Sequence, residues 1–207
     1  CWGQGTATFM IAGEKCTRAC GFCAVKTAKP DDLEADEPQR VAEATKRMNL
    51  NHVVITAVAR DDLKDGGAEH FKKTIEAVRE TNPGIIIEVL VPDLNEKDWA
   101  LDLGMKARPH IFNHNLGTVE RLTPLVRSRA KYERSLAVLK KAKEMAEGKV
   151  ATKSGIMLGL GEKPEEIAQA LDDLRSADVT VLTLGQYLRP TPMHLPVVEY
   201  VTPEKFD

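Results

Sequence analysis

No apolar run in this chain is long enough to span a membrane, and no signal-peptide pattern opens it. Neither sign of charge prevails, with 29 basic against 31 acidic side chains. No basic stretch is long enough, or interleaved with aromatics enough, to grip nucleic acid. Cysteine is sparse as well: there are four, all within the first 23 positions, so disulfides would staple one end and leave the rest untouched. In a reducing compartment, cysteines clustered in this way are more often metal ligands than bridges. Repeats, low-complexity tracts and linkers are also missing. What remains is a soluble intracellular protein, cytoplasmic or of an organelle matrix. Its 207 residues are enough to bury one sizeable core, so a single domain is expected over 1–207. The chain opens on Cys1 rather than Met and ends soon after Pro203, which reads as a fragment of a longer protein.

Short apolar runs alternate with amphipathic stretches. Val53 to Val58 is continuous and partly β-branched, as a strand covered on both faces requires, and Ile85 to Val91 is broken only by Glu88. Thr6 to Ala12, Ala107 to Phe112, Gly155 to Leu160 and Val179 to Leu184 are further strand candidates. Between them, Val41, Ala44 and Met48 keep helical spacing, as do Phe71, Ile75 and Val78, and Leu136, Leu139 and Ala142. Ile167, Leu171 and Leu174 follow Pro164-Glu165-Glu166, a start with proline in the first turn and acids facing the helix dipole. The charges on the helix at 131–147 are most simply a solvated face. Six strand–helix alternations predict an α/β fold with a parallel sheet and right-handed crossovers, either doubly wound or an open or partial barrel of the (β/α)6 type. A reactive loop directly after the first strand favours the barrel, because barrels carry their chemistry at the C-terminal ends of the strands.

That loop is Cys16-Thr-Arg-Ala-Cys20-Gly-Phe-Cys23, a C-x3-C-x2-C triad. Its spacing differs from the paired C-x2-C of zinc ribbons and from ferredoxin spacings. Three thiolates can hold three irons of a four-iron cluster and leave the fourth open to a ligand. Polar and glycine residues collect at the ends of later strands: Arg60-Asp61-Asp62 with Asp65-Gly66-Gly67, Phe112-Asn113-His114-Asn115, Gly159-Leu160-Gly161-Glu162 and Gly185-Gln186-Tyr187. In a barrel all of them face the mouth that holds the cysteines. Each also has a plain reading. Asp65-Gly66-Gly67 makes a turn and helix start, and Gly159-Leu160-Gly161 lacks the lysine of a phosphate loop. His110 and His114 are loop or core histidines more readily than metal ligands. Phe22 is either packing or the wall of a pocket for an aromatic ring.

The triad resembles that of radical S-adenosylmethionine (SAM) enzymes, and the blocks around it resemble the lipoyl synthase family along the whole chain. They include Cys1-Trp-Gly-Gln-Gly-Thr-Ala-Thr-Phe-Met-Ile, Arg60-Asp61-Asp62-Leu63, Ile87-Glu88-Val89-Leu90-Val91-Pro92-Asp93, Phe112-Asn113-His114-Asn115, Thr152-Lys153-Ser154-Gly155-Ile156-Met157 and His194-Leu195-Pro196-Val197. The resemblance implies sulfur insertion at C6 and C8 of an octanoyl-lysine on a carrier protein, either a lipoyl domain or the glycine-cleavage H protein. Ferredoxin or flavodoxin would donate electrons. Cys16, Cys20 and Cys23 would hold a 4Fe-4S cluster whose open iron binds SAM, and one-electron cleavage of that cofactor yields the hydrogen-abstracting radical. A second, auxiliary 4Fe-4S cluster would donate the sulfur, with Cys1 as the last of its upstream cysteine ligands. Phe22 is expected near the adenine, Thr56, Arg60 and Asp61 near the methionyl or ribose groups, and Asn113, Lys153 and Ser154 across the mouth.

Two positions depart from the family pattern: Gly117 stands where an acidic residue is usual, and Thr123 where a tyrosine is usual. The other upstream cysteines and the terminal serine ligand of the auxiliary cluster are not in this chain, so as given it is expected to fall short of complete sulfur insertion. Two alternatives remain from the sequence. One is another radical SAM sulfur-inserting enzyme such as biotin synthase, and the other is a non-catalytic zinc- or cluster-binding module.

Overall fold

The computed structural model describes residues 5–206. Its main sheet has six strands: β1 (Thr6–Ile11), β4 (His52–Ala57), β5 (Ile86–Leu90), β6 (Ile111–Asn113), β7 (Ala151–Leu158) and β8 (Val181–Gln186). A two-residue pair, β2 (Lys15–Cys16) and β3 (Lys26–Thr27), flanks the cysteine loop. The helices are α1 (Glu37–Arg47), α2 (Ala68–Thr81), α3 (Asp98–Lys106), a short α4 (Thr123–Val126), α5 (Tyr132–Met145), α6 (Pro164–Ser176) and a terminal turn α7 (Pro203–Phe206).

Strand order in the sheet is β1-β4-β5-β6-β7-β8, and every pair is parallel. Each strand therefore lies beside its neighbour in sequence, and the order never reverses. A doubly wound sheet binds ligands where its order reverses. This sheet has no such point, so its functional end is the common C-terminal rim. Among the described residues β1 and β8 do not pair, so the barrel is partial and open along that seam.

Alternation along the strands explains the two faces. Ile11, Val53, Ile55, Ile87, Val89 and Phe112 pack outward against α1, α2 and α3 in one core cluster. Leu116, Leu139, Ile156, Leu158, Leu174 and Tyr187 form a second around β7, α5 and α6. Burying a side chain of this kind contributes about 1.5–3 kcal/mol. The residues in between turn to the concave side. Register aligns Met10, Thr56, Leu90, Asn113, Lys153 and Val181 in one row across all six strands.

The expected boundaries shift in places. The apolar run from Ala107 to Phe112 is a strand only at its end: Ala107 caps α3, Arg108 turns with φ of 53°, and β6 begins at Ile111. β7 starts earlier than its apolar run, at Ala151: Lys153 faces the concave side, while Thr152 and Ser154 are buried on the other and hydrogen-bonded to Asp178 O and Leu116 N–H, and Gly159 to Gly161 form the turn after it. α3 itself went unread in the sequence.

Candidate active site

The cysteine loop leaves β1 through Ala12, whose φ of 64° is uncommon for a residue with a side chain. Two charged groups hold that peptide. Glu37 Oε2 accepts its N–H at 2.9 Å and lies 2.5 Å from His70 Nε2. Arg60 donates to its carbonyl at 2.9 Å, and also to Asp31 O and to the Asp62 carboxylate. Further on, Thr17 N–H bonds to Ala59 O, Gly21 N–H to Val126 O and Ala28 N–H to Cys16 O. Gly21 O accepts from Leu195 N–H at 3.0 Å, and Cys23 O lies 3.0 Å from His194 Nε2. Every arm of the loop is thus tied to a different element of the rim.

Arg18 anchors the loop's interior. Its buried guanidinium donates to Asp61 through two bonds of 2.8 and 2.7 Å, to Asp93 at 2.6 Å and to Asn95 at 3.0 Å. These contacts hold the Asp61 carboxyl far below the ordinary carboxylate range. Burial alone would raise the carboxyl of fully buried Asp93, but the Arg18 contacts override it and pull it down. A buried guanidinium shared by two carboxylates fixes geometry, since losing it would strip both of their principal partner.

Cys16, Cys20 and Cys23 are free thiols, each half-buried. Burial pushes the Cys20 thiol up, opposed chiefly by the Arg127 guanidinium. Among the described residues no three His, Cys, Asp or Glu side chains converge as one metal ion would need. A four-iron cluster takes one thiolate at each of three irons, so three free thiols on one rim loop match its donor set and leave one iron open.

The other expected residues divide by face. Thr56, Asn113 and Lys153 share the concave row just below the loop. Behind them stands Glu88, buried on β5, whose Oε1 accepts from Asn113 Nδ2 at 3.0 Å and from Lys153 Nζ at 2.9 Å. His52 Nε2 lies 3.4 Å from Glu88 Oε2 without a hydrogen bond, and the buried Asn113 Oδ1 has no partner. An orphaned buried acceptor on a concave face is a place for a ligand's donor. Phe22 packs against the second core cluster.

Ser154 lies elsewhere. It is one residue out of phase with Lys153, fully buried on the helical side, and its Oγ accepts from Leu116 N–H at 3.1 Å. Arg60 and Asp61 are likewise committed to bracing the cysteine loop. Cys1 lies outside the described residues. The two histidines have other partners: His110 Nδ1 accepts from Ile87 N–H, and both ring nitrogens of His114 are engaged, by Val91 O and Ser135 Oγ. Gly159-Leu160 fold around an anion of their own, since the Glu162 carboxylate accepts both their N–H groups at 3.0 and 3.1 Å. Glu88 and Arg18 were missed as site residues, although a lone Glu within an apolar strand was a signal for the first.

Comparison with known proteins bears on the family and the fold. The family model described as Radical SAM superfamily matches residues 10–174. Among solved structures, a 14% identical HydG, an FeFe-hydrogenase maturase from Carboxydothermus hydrogenoformans, superposes with a TM-score of 0.77 over 97% of this chain and 48% of its own. SuiB of Streptococcus suis, solved bound to S-adenosylmethionine, is also 14% identical and gives 0.74 over 95% of this chain and 44% of its own. These likenesses establish the fold: this is the partial barrel of the radical SAM enzymes. At sequence level the chain is 58% identical over its full length to the lipoyl synthase of Geobacillus kaustophilus (strain HTA426), covering 69% of that protein. It is 53% identical to the mitochondrial lipoyl synthase of Nematostella vectensis, covering 70% of it. The chain belongs to the lipoyl synthase family.

Proposed function

We propose that Cys16, Cys20 and Cys23 would hold a 4Fe-4S cluster at the rim, whose open iron would be left for SAM. The reaction it serves is sulfur insertion at C6 and C8 of an octanoyl-lysine on a carrier protein, a lipoyl domain or glycine-cleavage H protein. The single observation that carries the reading is a loop with three free thiols, fastened at every arm to the C-terminal rim of a parallel barrel. When bound, the cluster and SAM supply the one-electron chemistry. The protein supplies position and a chamber shielded from water. Asn113 Oδ1 is the free acceptor for a ligand N–H or O–H, Lys153 offers its remaining ammonium protons to an anionic group, and Glu88 keeps both in place. Thr56 presents its hydroxyl oxygen from the next strands along the same row, its proton given to Leu90 O. Phe22 closes the adenine side.

An auxiliary 4Fe-4S cluster with Cys1 among its ligands is the sulfur donor in this reading, and ferredoxin or flavodoxin the electron source. No helix among the described residues is long and apolar enough to cross a membrane. A cytoplasmic or organelle-matrix setting fits the reducing conditions that free thiols need.

The test is substitution in the anaerobically iron-loaded protein. Cys20→Ala should lose the iron bound by the triad and all reductant-dependent formation of 5′-deoxyadenosine from SAM. Intact cofactor cleavage in that variant would refute the ligand assignment. With octanoylated carrier added to the full-length protein, a product without the mass of two added sulfurs would refute the substrate.

A further inference from the structure

Beside the middle cysteine stands a cation, Arg127, that forms no direct ion pair with a carboxylate among the described residues, Asp93 acting on it only at longer range. Gly21 N–H donates to Val126 O at 2.9 Å, and Ser128 Oγ donates to Ala19 O at 3.1 Å, so the segment 126–128 is strapped along both flanks of Cys20. Arg127 lies between those straps. Its Nη1 donates to Leu116 O at 2.7 Å and to Ser135 Oγ at 3.2 Å, both neutral. No carboxylate among the described residues is paired with it, whereas Arg18 and Arg134, also near the loop, each reach Asp93. The backbone makes room for the side chain: a Cβ on Gly117, whose φ is 85°, would stand 2.8 Å from Arg127 Cδ. Ser135, which accepts from Arg127, passes its own proton to His114 Nε2, and His114 Nδ1–H is spent on Val91 O. That relay is neutral throughout and holds the guanidinium still without cancelling its charge.

Taking a cation out of water costs several kcal/mol unless an anion compensates it. The Cys20 sulfur is such an anion when it ligates iron. A four-iron core held by three thiolates is net anionic, and it gains a further negative charge on reduction. Net charge and nearby hydrogen bonding set the potentials of such clusters.

We infer that Arg127 is the fixed countercharge of the cluster at Cys20, a positioning residue that makes the cluster easier to load and to reduce. This rests on the triad holding the cluster. The test reads that premise and the inference separately, by anaerobic iron loading and an EPR-monitored redox titration of the signal that shifts on adding SAM. Absence of a SAM-sensitive signal in the unsubstituted protein refutes the premise. Given the signal, Arg127→Met should disfavour reduction at least tenfold, about 59 mV for one electron. Arg127→Lys, which keeps the charge but loses the fork, should recover most of that shift. Should Arg127→Met fail to fold, Arg127→Gln, whose amide can still bond to Leu116 O, carries the same comparison. Loss of loading in the neutral variants with recovery in the lysine variant supports the inference. Unchanged loading and midpoint in a neutral variant overturn it, as does an equal shift in the lysine and neutral variants.

Discussion

His114 shows at the residue scale how a side chain can look catalytic and be structural. It sits at the end of β6 next to Asn113, but it is fully buried and spends both nitrogens inside the protein. Burial, then the Arg127 charge, pushes its imidazole down to about 4. The unfolded chain takes up this proton near pH 6.5 and the folded chain only near 4, so the unfolded state binds more protons between those values. Stability is therefore complete above about pH 6.5 and falls as pH drops toward 4, by up to about 1.4 kcal/mol per pH unit from this group. Urea unfolding at pH 7 and pH 5 should show a difference that His114→Gln largely removes, at a cost of about 1–3 kcal/mol at pH 7 for the imperfectly replaced hydrogen bonds.

The cysteine loop is the element that matters most, and it is held from outside more than from within. The two short strands that frame it pair at only two registers, Lys15 with Lys26 and Cys16 with Thr27. Beside the Arg18 network and the grip of Glu37 and Arg60 on Ala12, the loop is fixed by Ala59, Val126, Ser128, His194 and Leu195. Gly21 is the tightest point: a Cβ there would stand 2.9 Å from Leu195 Cδ1. Gly21→Ala should therefore push the 194–195 segment off the loop, costing about 1–3 kcal/mol as overpacking does, with faster loss of bound iron to a chelator. Adding Leu195→Ala should restore both the melting temperature and iron retention. If the single variant keeps its iron as well as the parent does, the segment does not clamp the loop.

How much of this was legible follows from where the information lies. The triad, the strand runs of β4 and β5 and the helices α1, α2, α5 and α6 could be read because local spacing encodes them. α3 could not: its buried Ala100, Leu101 and Met105 span too few turns to show a period beside exposed Trp99. The concave row was only half legible. Thr56, Asn113 and Lys153 were named, but Ser154 was carried along with its neighbour, and only strand register tells two adjacent residues on opposite faces apart. Arg60 and Asp61 looked like cofactor contacts because they are polar and stand at a strand end. Their partners Ala12, Asp31 and Arg18 are distant in sequence and visible only in the fold.

On the scale of the whole molecule, an open barrel has two unequal edges. Among the described residues β4, β5, β6 and β7 each have a strand on both sides, whereas β1 and β8 have one. Residues 188–202, beyond β8, have no regular secondary structure and expose Leu188, Met193, Val198 and Tyr200. Amide exchange should accordingly be slowest in β4 and β5, intermediate in β1 and β8, and fastest over 188–202. Protection of β8 equal to that of β5 would mean that the seam is covered in solution.

The grip on Ala12 has a consequence for how iron enters. Its N–H and its C=O are each seized by a side chain from a different part of the chain, Glu37 on one side and Arg60 on the other. The loop therefore departs from a point that is already fixed before any ligand arrives. In small zinc domains metal uptake and folding are one event, because the ligands have no scaffold without the ion. Here the ordering entropy of the loop is spent when the barrel forms, so under the proposed assignment iron and sulfide would meet a socket whose shape is already set. Cluster assembly becomes a local transaction at three thiols, and damage to the cluster need not carry the fold down with it.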